Sequence, residues 1–209
     1  MISLFGKPAE IFLAGNYPGF IGLLPGEIKE AGFVKLVSIA IISPMKNILL
    51  VLQALEHVEA TVQYDIYGPV KDENYRDECL LQIKSLPKNI SVFMHKEIEP
   101  SEVKSALQQA DVFILPSKSE NFGHAMYEAL SAGLPLITSN HTPWINLETS
   151  QAGMNVDVDD VSSISKAIQH FAGMAEEEFD PWRKNALAYA CNAINKEQMQ
   201  SDYEKMFFY

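Results

Sequence analysis

Cysteine, basic residues and long apolar runs are what this chain has least of. Its two cysteines, Cys79 and Cys191, are too few for a disulfide scaffold, and both fall within helical patterns, so buried reduced thiols are expected. Lys and Arg number 16 against 27 Asp and Glu, and the formal net charge of -11 argues against the basic face that a broad nucleic-acid footprint needs. No apolar run approaches the ~20 residues that span a bilayer. The opening MISLFGKPAEIFLAG is broken by Lys7, Pro8 and Glu10, unlike a signal peptide, which leaves the cytoplasm as the default setting. His, Cys and carboxylates do not cluster at ligand spacing, so no metal site is expected.

What is present is enough for one sizeable core: 209 residues, 47% of them hydrophobic. Residues 1 to 34 are dense in Gly and Pro, which argues against long helices, and Asn16, Tyr17 and Pro18 resemble the connection between domains in two-domain enzymes, a resemblance that implies a linker or the remnant of an interdomain connection. From residue 35 to 209 short apolar runs alternate with helical patterns, the mark of an α/β, Rossmann-like, doubly wound parallel sheet of about six strands. Strands are expected at Lys35 to Ile41, Val62 to Tyr67, Ile90 to Met94, Val112 to Leu115, Leu134 to Thr138 and Met154 to Val156. Helices are expected at Lys46 to His57, Asn74 to Ser85, Ser101 to Ala110, from about Gly123, and near Asp160 to Ala172, Glu176 to Tyr189 and Lys196 to Phe207. Glu176, Glu177 and Glu178 read as a solvated helix start, and Met199, Met206, Phe207 and Phe208 as a terminal apolar set.

The densest signal is SENFGHAMYEALSAGLPLITSNHTPW, Ser119 to Trp144. The buried run Val112 to Leu115 ends at Pro116 and Ser117, and after a polar loop Phe122, Ala125, Met126, Ala129 and Leu130 recur at helical spacing. His124, Glu128 and Ser131 fall at i, i+4 and i+7, a polar stripe opposite the packed face. A helix starting near Gly123 turns unpaired N–H groups and its positive dipole end to the carboxyl edge of the sheet, where anionic phosphate is a natural occupant. Trp144, after Pro143, suits a packing anchor near that edge.

Glu120 and Glu128, separated by seven residues within ENFGHAMYEALSAGLPLI, resemble the donor-site motif of family-4 retaining glycosyltransferases of the GT-B fold. The preceding ILPS agrees, as do SPMKN from Ser43 to Asn47 and YDIYGP from Tyr64 to Pro69, while Thr142 to Trp144 extend the likeness toward transferases of bacterial surface-polysaccharide assembly. The resemblance implies a nucleotide-diphosphate sugar as donor substrate, with no further cofactor and no metal. Glu128 would accept from the ribose hydroxyls and Glu120 would face the transferred sugar. Backbone amides near Phe122, Gly123 and His124 would approach the sugar and diphosphate, and Lys46 would place its ammonium on the diphosphate as the sugar departs.

Where this family usually carries an arginine that shares the diphosphate with the lysine, this chain has Ile41, a side chain that cannot donate. The resembled enzymes also clamp their donor between two Rossmann-like domains, and only the C-terminal, donor-binding half is recognisable here. An N-terminal GT-B domain is therefore an expected partner, peripheral membrane association would come through that domain, and this chain alone is expected to be inactive. Three readings stay open at this level: the donor half of a hexosyltransferase in polysaccharide or lipopolysaccharide biosynthesis, a catalytically silent nucleotide-sugar binding or regulatory domain, and another GT-B chemistry such as epimerisation.

Overall fold

The computed structural model describes residues 19–24 and 26–194. The expected helix near Lys196 to Phe207, its apolar set, and Asn16 to Pro18 lie outside the described residues. Six parallel strands form one sheet: β1 (Phe33–Ile39), β2 (Thr61–Tyr67), β3 (Ile90–Met94), β4 (Val112–Leu115), β5 (Leu136–Ser139) and β6 (Gly153–Val156). Their order is β3-β2-β1-β4-β5-β6, the doubly wound arrangement the alternation predicts. Winding runs outward from β1 to β3, then returns to β4 on the other side of β1. That reversal opens a crevice beyond the carboxyl ends of β1 and β4.

Among the described residues six α-helices cover the two faces: α1 (Ile48–Leu55), α2 (Glu73–Ser85), α3 (Pro100–Gln108), α4 (His124–Ser131), α5 (Val161–Gly173) and α6 (Glu176–Ala193). On one face α1 packs between α2 and α5 over a core including Leu52, Tyr64, Ile114 and Phe171. On the other, α4 packs against α6 over Val37, Phe113, Leu130 and Trp144, with Leu107 of α3 joining them. Both faces of β4 are thus covered, which is why Val112 to Leu115 reads as an unbroken apolar run and is buried throughout. Helix starts follow local chemistry. The Asp72 carboxylate accepts from the Tyr75 amide at 3.0 Å to open α2, and Asp160 accepts from the Ser162 amide at 2.8 Å to open α5.

Several boundaries differ from expectation for definable reasons. The helix expected from Lys46 is divided: a 3-10 turn over Pro44–Lys46 stops at Asn47, whose positive φ of 59° breaks the ladder before α1 begins. β5 starts at Leu136, not Leu134, because Pro135 has no N–H and the Leu134 amide closes back on Ala129 at 2.9 Å. β1 ends at Ile39, which leaves Ile41 outside the strand with its side chain exposed. Cys79 is buried as expected, whereas Cys191 is exposed, because it falls on the outer side of α6 and not on the stripe of Ala186 and Ala190. Among the described residues no helix is long and apolar enough to cross a membrane.

Residues 19–24 and 26–32 contain no helix or strand, yet they are fastened to the domain. The Leu24 amide donates to the Ala132 carbonyl at 3.0 Å and the Ile21 amide to the Ser131 hydroxyl at 3.1 Å. Leu24 is buried in the core with α4 and α6. Below it, Lys29 is 3% exposed, its ammonium donating to the carbonyls of Glu30 at 2.8 Å, Met174 at 3.2 Å and Phe33.

Candidate functional site

The topological reversal holds a cavity of about 510 Å³. Ile39, Ala40 and Ile41 line it from the end of β1, Met45 and Lys46 from the 3-10 turn, and Ser119 through Met126 from the loop and helix after β4. Five of the six sequence-predicted site residues, Lys46, Glu120, Phe122, Gly123 and His124, therefore stand on one wall system. Glu128 is the exception. It lies on the second turn of α4, four residues beyond His124, outside the cavity lining.

The loop carrying Glu120 is built from bonds that cross the sheet edge. The Ser139 hydroxyl donates to the Ser117 carbonyl at 2.5 Å, the Glu120 amide to the His141 carbonyl at 3.3 Å, and the Lys118 amide to Met45 at 2.9 Å. Trp144 is 3% exposed and its indole N–H donates to the Phe122 carbonyl at 2.7 Å, which fixes the turn before α4. Gly123 closes that turn at φ 78°, and a Cβ there would stand 2.9 Å from Met126 Sδ and 3.2 Å from Trp144 Nε1. Only glycine meets both demands. The first bonded amide of the helix is that of Met126, which leaves the amides of His124 and Ala125 at the cavity wall with the positive end of the α4 dipole.

Glu120 does not stand free, as its expected role of facing sugar hydroxyls would have it. Lys46 Nζ donates to Glu120 Oε1, and the Ser117 hydroxyl donates to the same oxygen at 3.1 Å. The pair is partly buried, with the lysine side chain 20% and the glutamate 13% exposed. Lys46 and Glu120 sit opposite each other across the β1 and β4 edges, so an ion pair is the natural resting arrangement when no other anion competes. Ile41, 44% exposed on the same wall, adds hydrocarbon and no charge.

Glu128 contrasts with Glu120. Among the described residues its carboxylate has no hydrogen-bond partner, yet it is half-buried, and burial pushes its carboxyl above the usual range, with His124 nearby pulling it partly back. Ser131, expected on the polar stripe, is fully buried: its hydroxyl donates to the Glu128 carbonyl at 2.9 Å and accepts from Ile21. Ser131 is polar because a chain segment bonds to it, and nothing in the helical period distinguishes that from solvent. His124 itself is exposed, and its ring stands 4.9 Å from that of Phe122.

Sequence reasoning missed two contributors. Ser117 bonds Glu120 from the strand end, a role a serine beside a proline does not advertise. Gly19 lies against Glu128, and only the folded path of residues 19–24 brings it there.

Comparison with known proteins assigns the chain to a family. The family described as "Glycosyl transferases group 1" matches residues 27–187. A GDP-mannose:cellobiosyl-diphosphopolyprenol alpha-mannosyltransferase of Xanthomonas oryzae is 35% identical over 89 residues, 42% of this chain and 23% of the relative. The O-antigen chain mannosyltransferase B of Escherichia coli is 30% identical over 156 residues, 72% of this chain and 38% of the relative. The chain thus spans well under half the length of these relatives. Among solved structures, HepE of Anabaena in complex with UDP and glucose superposes with a TM-score of 0.70 at 15% identity, over 84% of this chain and 48% of that one. The catalytic domain of cholesterol-alpha-glucosyltransferase from Helicobacter pylori gives 0.63 at 16% identity, over 77% of this chain and 99% of that one. At these identities the likeness speaks for the fold, a six-stranded Rossmann-like sheet.

Proposed function

The chain belongs to the group 1 glycosyl transferases, and from that premise we propose that it is the donor-binding half of a retaining hexosyltransferase. Its ligand is a nucleotide-diphosphate sugar, and the acceptor is a saccharide or lipid-linked saccharide of a surface polysaccharide, the class of molecule named for the relatives. The observation that carries this reading is the convergence, in one cavity at the topological reversal, of Lys46, Glu120 and the amino end of α4, with Glu128 on the adjoining turn.

The chemistry follows from those groups. A diphosphate entering at the start of α4 meets the His124 and Ala125 amides and competes with Glu120 for Lys46. Exchange of one oxyanion for another leaves the ammonium paired throughout, so the cost of freeing it is small. As the bond to the sugar breaks, charge grows on the leaving diphosphate, where Lys46 and the helix dipole are already aimed. No metal is required for that stabilisation. Glu120, released from the lysine and still held by Ser117, turns its acceptor oxygens to the sugar hydroxyls. Glu128, half-buried and without a partner among the described residues, accepts from the ribose hydroxyls.

Acceptor binding falls to a second, N-terminal Rossmann-like lobe, and this chain by itself turns over little or no donor. The test is calorimetric titration with UDP, GDP and their sugars on the wild-type chain and Glu128→Ala. Binding of one nucleotide series by wild type, weakened in the variant, supports the reading, and no binding of either series at millimolar concentration overturns it. A second reading, a binding domain without transfer activity, is favoured by the hydrocarbon of Ile41 on the diphosphate wall. Assay of the two-lobed protein with and without Ile41→Arg separates the two.

A further inference from the structure

We infer that Gly19 is a specificity-determining position: the backbone of residues 19–24 forms the second wall of the notch in which Glu128 takes a pair of ligand hydroxyls. The inference rests on the reading of Glu128 given above and assigns it a partner that lies far upstream in the chain.

The segment is not loosely draped. Ile21 is bonded through its amide to Ser131 Oγ and Leu24 through its amide to the Ala132 carbonyl, at 3.1 and 3.0 Å. Leu23 rests against Gly133, and Leu24 is buried with Leu107 and Leu130. Those anchors set residue 19 beside the second turn of α4. A Cβ on Gly19 would stand 3.0 Å from Glu128 Oε1 and 3.8 Å from its Cγ and Cδ. A side chain there would therefore push the carboxylate out of place. With glycine, the segment desolvates the acid on one side yet leaves its oxygens without a donor among the described residues. A half-buried acceptor with a bare wall and no donor suits vicinal hydroxyls, which supply two donors in one plane.

Glycine at 19 is needed for space and not for backbone conformation. Gly19→Ala and Gly19→Val are then graded obstructions, and Glu128→Asp, one methylene shorter, is their steric compensation. The experiment titrates UDP and GDP, and the 2′,3′-dideoxy form of each, against these variants and wild type, with melting temperature and inorganic pyrophosphate binding as controls. Wild type is expected to prefer the ribonucleotide by about tenfold or more, the worth of hydrogen bonds to an ionised group. Gly19→Val is expected to bring that ratio close to one by weakening the ribonucleotide alone, with pyrophosphate binding unchanged. The Gly19→Ala, Glu128→Asp double variant recovers part of the preference that Gly19→Ala loses.

A ribo-to-dideoxy ratio in Gly19→Val and Gly19→Ala equal to that of wild type overturns the inference while leaving Glu128 as hydroxyl acceptor. A wild type that does not distinguish the two sugars overturns both. Should Gly19→Val melt early, the alanine pair decides, and failure of Glu128→Asp to restore any preference in it counts against a steric wall.

Discussion

The two edges of the sheet treat charge in opposite ways. At the amino edge, Lys29, Asp111, Arg183 and Glu176 form a closed set. Asp111 accepts from the Lys35 amide at 2.8 Å and faces Arg183 at 3.6 Å, while Arg183 holds Glu176 at 2.9 Å and the Glu27 carbonyl at 2.9 Å. Glu176, expected among solvated acids, also accepts from the Lys29 amide at 2.7 Å. Burial pushes the Lys29 amine down and the Asp111 carboxyl up, yet each is surrounded by fixed partners. At the carboxyl edge the charges that line or adjoin the cavity are less settled. Glu120 shares one long, flexible lysine, and Glu128 has burial without a partner among the described residues. Charges at the amino edge are answered from within the chain, whereas at the carboxyl edge Glu128 is left with burial and no hydrogen-bond partner among the described residues, the pattern that perturbed acids at functional sites share.

The comparison can be broken most forcefully at Lys29. Replacing it by methionine removes the donor from three carbonyls and leaves Asp111 and Glu176 with one cation fewer. A loss of about 3 to 5 kcal/mol in urea unfolding is expected. Nucleotide affinity of the folded fraction should not change, and a loss below about 1 kcal/mol would show that the amino edge is no tighter than a surface ion-pair cluster.

Glu128→Gln should do the reverse, leaving unfolding unchanged within about 0.5 kcal/mol and weakening the nucleotide sugar by roughly 1.5 to 3 kcal/mol. The pH dependence gives the sign. Hydroxyls donate to the ionised acid, whose titration burial has moved upward, so wild-type affinity rises with pH through that raised value and flattens in the glutamine variant. A nucleotide sugar is the right probe, because its esterified diphosphate has no group titrating in the same range. Folding carries the opposite sign: the native state holds this proton more tightly than the unfolded chain, so the contribution is lost as pH rises through the folded value. An affinity that is flat with pH in wild type would place Glu128 with the structural charges after all.

Ile41→Arg sharpens the contrast by the smallest step. Isoleucine at this position is exposed on the cavity wall, so arginine fits without burial, and nucleoside diphosphate affinity should tighten by about 1 to 2 kcal/mol. Unchanged calorimetric affinity would mean that the diphosphate does not pass along this wall.

Much of this was legible in the residues. The winding of the sheet followed from alternating runs and loop signals, and β3 and β4 lie within the bounds read from Ile90 to Met94 and Val112 to Leu115. Lys46, Glu120 and the residues from Phe122 to His124 were readable as one set through their resemblance to the GT-B donor motif, and the structure supplies the reason they meet, because a doubly wound sheet brings the loops after β1 and β4 together. What was hidden is long-range or conformational. The Lys46 to Glu120 pair spans 74 positions, the left-handed Asn47 divides an apolar helical pattern, and Ser131 is polar for the sake of a segment 110 residues upstream. Helical period reports which side of a helix is apolar and is silent on what meets the other side.

The anchoring of residues 19–24 bears on how this domain can be grafted. A chimaera joined at the first strand, Phe33, would discard Leu24 from the core and strip the Ala132 carbonyl of its donor. The crossover point for grafting this domain onto another chain therefore belongs upstream of residue 19, so that the graft arrives with both sides of its α4 helix dressed.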